Sequence, residues 1–82
     1  MNTFEERVTN LVRMQLDLRN EETINLDKNF IVEYGADSLD IMEMVLALEE
    51  EFDIDIDDSV TDNLITLRNV IEYVKENSLL AV

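Results

Sequence analysis

Cysteine, histidine, proline and tryptophan are all absent from this chain, and glycine occurs once, at Gly35. Without cysteine there is no disulfide framework, and without cysteine or histidine the usual zinc ligand sets are missing, so side-chain packing alone must hold the fold. The lack of histidine also removes the base that activates a serine hydroxyl in hydrolase triads. Basic residues are scarce as well: six against twenty acids give a net charge of −14, which repels nucleic acid and anionic membrane surfaces. Partners should therefore be basic. No run approaches the roughly 20 apolar residues that span a bilayer, and Met1 to Arg7 carries two glutamates instead of a signal peptide's apolar stretch. A cytoplasmic location is expected, suited to a cysteine-free chain, with an organelle matrix after transit-peptide removal as the alternative.

What is present fits one domain over residues 1–82, since 82 residues close a single core and 46% of them are apolar. Thr3-Phe4-Glu5-Glu6 is a capping-box pattern, and Phe4, Val8, Leu11, Val12 and Leu18 follow at helical spacing, predicting a helix from about Thr3 to about Asp17. From Leu18 to Tyr34 no period persists, so a long loop pinned by its own apolar residues is expected. A second helix starts at Asp37 or Ser38 and ends near Glu51, with Asp37 as N-cap and Gly35 as a flexible entry. One helical turn fits between Asp53 and Asn63, and Thr66 caps a last helix carrying Leu67, Val70, Ile71 and Val74, with a frayed tail from Asn77. The expected fold class is all-α, a small antiparallel bundle of three main helices plus one short helix, with a long first loop and a monomeric state.

Charge and apolar residues are distributed unevenly. No base lies between Asn29 and Leu67, whereas that segment holds twelve acids. On the second helix, Ile41, Met44, Val45, Leu48 and Phe52 form one apolar stripe, and Leu39, Met42 and Leu46 form another on nearly the opposite side. A bundle this small cannot bury both. The second stripe should stay exposed, bordered by Asp40, Glu43, Glu49 and Glu50, as a docking surface with an acidic rim.

Two chemistries are excluded. Asp53, Asp55 and Asp57 match the first ligand positions of a calcium loop, but position six is Asp58 instead of glycine and position twelve is Leu64 instead of glutamate; no metal site is expected, only loose divalent-cation screening of this acidic segment. Ser38 lacks both a histidine partner and the G-x-S-x-G elbow of hydrolases, so the chain is not read as an enzyme.

Gly35-Ala36-Asp37-Ser38-Leu39-Asp40 resembles the attachment motif of acyl carrier proteins of the dissociated fatty-acid-synthase type. Phe4-Glu5-Glu6-Arg7-Val8 resembles the family's first helix and Ala47 to Phe52 the end of its second, and the spacing to Ile56 and Thr66 also fits. The likeness implies 4′-phosphopantetheine esterified to Ser38 by a separate phosphopantetheinyl transferase, with coenzyme A as donor. It implies a carrier of the growing acyl chain in fatty acid biosynthesis, or of a specialised polyketide or amino-acyl group; a non-carrier acidic interaction protein is the reading outside that class. Partner contacts would come from Asp37, Leu39, Asp40, Met42, Glu43, Leu46, Glu49 and Glu50, meeting basic patches on synthase enzymes and acyltransferases. Similar proteins shelter the acyl chain between helices, where Val45, Leu48, Ile56, Leu64 and Leu67 are candidates by position, each equally readable as ordinary core. Tyr34 stands where the family usually has leucine, and Asp57 where proline is common.

Overall fold

Local capping chemistry decides where each helix begins in the computed structural model, which describes residues 3–18 and 24–78. Helix α1 spans Phe4–Gln15, and its Thr3 hydroxyl accepts from the Glu6 N–H at 3.1 Å while the Glu6 carboxylate accepts from the Thr3 N–H at 3.3 Å. Helix α2 is a single turn, Phe30–Tyr34, capped by the Asn29 side chain, which accepts from the N–H groups of Ile31 and Val32. Helix α3 spans Ser38–Phe52 under a second reciprocal box: Asp37 accepts from the Asp40 N–H at 2.9 Å, and Asp40 accepts from the Asp37 N–H at 3.1 Å. Helix α4, Asp58–Thr61, is capped by Asp57, and α5, Leu67–Asn77, by Thr66. The architecture is all-α, with three long helices and no strand among the described residues.

Three expectations need correction. The loop before α3 contains α2, because Asn29 supplies a cap, Phe30 a fully buried anchor and Gly35 a left-handed terminator at φ 73°. Gly35 thus ends a helix instead of loosening the entry to the next. Helix α1 stops at Gln15, before Asp17, since Asp17 takes the left-handed region at φ 54° and Leu18 donates back to the Arg13 carbonyl at 2.8 Å. The tail does not fray at Asn77: Ser78 is 4% exposed and its hydroxyl donates to the Phe52 carbonyl at 3.3 Å. The remainder of that tail, residues 79–82, lies outside the described residues, as does the 19–23 stretch of the long loop.

Helix α3 packs against both α1 and α4, and α5 packs against α1. The core forms where their stripes meet: Val8 and Val12 of α1, Met44, Leu48 and Phe52 of α3, and Val70 and Val74 of α5 are fully buried. Burying each such side chain contributes about 1.5–3 kcal/mol, against an ordering entropy of similar total size. Phe52 is the hinge of this packing. Phe4 meets its ring edge-on at 5.4 Å, and the Arg7 guanidinium covers it at 5.1 Å while pairing with Glu51 at 3.2 Å.

The described part of the long loop is sewn to the start of α5. Phe30 N–H donates to the Ile65 carbonyl at 2.7 Å, and Arg68 N–H donates to the Leu26 carbonyl at 3.0 Å. The Arg68 guanidinium also forks onto the Asp27 carboxylate at 2.8 and 3.2 Å. The Tyr34 hydroxyl accepts from the Asn25 N–H at 3.2 Å, so this tyrosine ties α2 to the same loop.

Candidate functional site

The first residue of α3 is Ser38, and its side chain is exposed. The capping box positions it. Asp37 binds the Asp40 N–H and Asp40 binds the Asp37 N–H, which fixes the entry geometry and leaves the N–H groups of Ser38 and Leu39 without a described protein acceptor. Those groups sit at the positive end of the helix dipole, where a phosphate-type anion is favoured; the two aspartates partly offset that field.

Ser38 stands on the rim of a cleft of about 400 Å³ between α3 and α4. Ile41, Met42, Val45 and Leu46 line its α3 side, Ile31 of α2 closes one end, and Ile56 and Ile65 complete the apolar wall. The α4 side brings Asp58, Thr61 and Asp62, and Glu49 faces the cleft from α3. The Glu49 carboxylate accepts from the Ile56 N–H at 2.9 Å, which holds the segment after α3 against the helix. No histidine, lysine or arginine is in the lining, so the histidine or lysine base of serine-hydrolase sites is missing beside the Ser38 hydroxyl. The cleft is thus apolar along α3 and acidic along α4, with the Ser38 hydroxyl exposed at its rim.

Of the five residues named from sequence as candidates for an acyl pocket, Val45 and Ile56 line this cleft. Leu48, Leu64 and Leu67 are buried in the shared core and are not part of its lining. Sequence reasoning omitted Ile31, Ile41 and Ile65. Ile41 was legible, because it lies one turn before Val45 on the same face; Ile31 and Ile65 lie in segments with no period to read.

The exposed stripe is as the wheel places it: Leu39 is 61%, Met42 57% and Leu46 58% exposed. Met42 and Leu46 belong both to this stripe and to the cleft wall, so an apolar surface runs from the cleft onto the helix exterior. Around it, Asp37 and Glu43 are exposed and Asp40 is half-buried in its cap. Glu49 is half-buried with one oxygen committed to Ile56, and Glu50 faces a separate groove shared with α1, which Arg7, Leu11 and Met14 also line.

The hydrogen-bonded Arg68 guanidinium holds the Asp27 carboxyl below the usual carboxylate range, and Asp27 in turn raises Arg68. Among the described residues no three carboxylates are grouped to hold a metal ion, and no helix is long and apolar enough to cross a membrane.

Residues 6–74 match the family model of the phosphopantetheine attachment site. Acyl carrier proteins from two strains of Buchnera aphidicola subsp. Acyrthosiphon pisum, Tuc7 and APS, are each 39% identical over 79 residues, covering 96% of this chain and 98% of theirs. A solved structure from Mycobacterium tuberculosis, assigned as an acyl carrier protein, superposes with a TM-score of 0.80 at 27% identity, covering 90% of this chain and 97% of that one.

Proposed function

This chain belongs to the phosphopantetheine-attachment family of acyl carrier proteins, and from that premise we propose that Ser38 is its attachment residue and fatty acid synthesis its pathway. Members of this family carry 4′-phosphopantetheine covalently and are carriers, not enzymes. The single observation supporting Ser38 is its exposed hydroxyl at the first turn of α3, on the rim of an apolar cleft. These residues fit the group: a phosphodiester there meets the free N–H groups of Ser38 and Leu39, and the hydroxyl is open to a transferase. When attached, the arm supplies the thiol that the sequence lacks and holds an acyl group as a thioester.

The protein's own residues then do two things. Ile41, Val45, Ile56 and Ile65 exclude water from an apolar chain that turns into the cleft, contributing about 0.8 kcal/mol per buried methylene. Leu39, Met42 and Leu46 offer a small apolar anchor, and the surrounding carboxylates steer basic surfaces of the transferase, the synthase enzymes and acyltransferases onto it. Such complexes form fast and release readily, as a shuttle requires. The same reading makes the chain a single carrier domain over residues 1–82, monomeric and cytoplasmic.

Intact mass tests the assignment. Incubated with coenzyme A and a phosphopantetheinyl transferase, the wild type gains one phosphopantetheinyl group and Ser38→Ala gains none; an unmodified wild type refutes it. Loading the product with fatty-acyl, polyketide-type or amino-acyl groups by their ligases then reads the cargo class.

A further inference from the structure

Ile56 enters the cleft wall from a segment with no regular structure of its own, Asp53 to Asp57, between α3 and α4. Its hydrogen bonds to α3 converge on one residue. Ile54 N–H donates to the Glu49 carbonyl at 3.2 Å, and Ile56 N–H donates to the Glu49 carboxylate at 2.9 Å. On its other side the segment is held by a longer bond, from the Tyr73 hydroxyl to the Asp55 carbonyl at 3.5 Å. Ile56 is buried and lines the cleft together with Val45, and the Glu49 side chain ties it to α3. Asp58 and Asp62 line the same cleft.

We propose that Glu49 is a positioning residue whose carboxylate, through the Ile56 N–H, sets how far the cleft opens and so the longest acyl chain it encloses. This rests on the reading of the cleft as the acyl shelter. A chain that outgrows the space must displace Ile56, and the tie to Glu49 adds to the cost of doing so. A hydrogen bond to a charged acceptor in a half-buried place is among the stronger ones in a small domain, and its loss leaves the Ile56 donor unpaired.

The test compares wild type, Glu49→Gln and Glu49→Ala, as apo-protein and as holo-protein loaded with saturated acyl groups of increasing length. Two quantities are read: amide exchange at Ile56, and the rate at which hydroxylamine cleaves the thioester. In Glu49→Ala the Ile56 amide should exchange about tenfold faster, and the chain length giving greatest protection should move upward. Glu49→Gln, which keeps an acceptor at that place but not its charge, should fall between wild type and Glu49→Ala on both. Unchanged Ile56 exchange in Glu49→Ala, an unmoved length optimum, or Gln behaving as Ala would each overturn the role given to Glu49 while leaving the shelter intact. If the wild-type thioester is unprotected at every length, the shelter reading fails and this inference with it.

Discussion

Helix α3 divides the molecule into two unlike sides. Toward α1 and the loop that docks on α5, acids are answered: Arg7 reaches Glu51 and covers the Phe52 ring, and Arg68 forks onto Asp27. Toward α4 they are not, because no base occurs between Asn29 and Leu67. The apolar residues divide in the same way. Phe52, Met44 and Leu48 are sealed inside, whereas Leu39, Met42 and Leu46 stand more than half exposed. Exposed ion pairs contribute little to stability, so the contrast concerns function more than folding. Ion pairs occur where the chain packs on itself, and the base-free acids lie on the side that carries Ser38 and the exposed stripe.

The largest effect that would break this contrast is on attachment. Ser38→Ala should abolish modification completely yet change the unfolding free energy by less than about 0.5 kcal/mol, since the side chain is exposed and makes no described side-chain bond. Next comes a pair of truncations on opposite faces of α3. Phe52→Ala, which empties a fully buried ring site, should cost about 3–5 kcal/mol in denaturant unfolding, most of the stability of a domain this small. Leu46→Ala should leave stability nearly unchanged but weaken binding to a basic partner enzyme by about tenfold, measured by titration at low salt. Equal stability losses from the two would erase the distinction between the faces.

A smaller loss is expected at the turn before Ser38. Gly35→Ala should cost about 1–2 kcal/mol in thermal or denaturant unfolding, because the residue sits at φ 73° although an added Cβ would meet no atom within 4 Å. The smallest effect belongs to Asp27. Its folded-state pKa is lowered from 3.8, so its contribution is present above that value and is lost as pH falls through the depressed folded value. Asp27→Asn should therefore lower the denaturation midpoint slightly near neutrality, and the difference from wild type should vanish in strong acid.

Much of this was legible before any coordinates. Thr3 with Glu6, Asp37 and Thr66 announce their helices because caps are local chemistry, readable within four residues. The two stripes of α3 follow from its period. What escaped is non-local or too short. Helix α2 has five residues, fewer than two turns, so no apolar period can mark it. The stop of α1 escaped because Asp17, not a glycine, takes the left-handed position. At the cleft, Leu64 and Ile65 are adjacent apolar residues, yet Leu64 turns into the core and Ile65 into the lining, and no spacing rule in an irregular segment separates them.

The central claim is that one hydroxyl, at the meeting of the two sides, receives the arm. Trypsin should release it on a single peptide, Asn29 to Arg68, because no lysine or arginine interrupts that stretch. The peptide also carries Tyr34, Ser59, Thr61 and Thr66, and Ser59 lies in an acidic helix turn of its own. Fragmentation of this peptide after transferase treatment should place the whole phosphopantetheinyl mass on Ser38. Finding it on Ser59 or another hydroxyl, or not at all, would contradict the account.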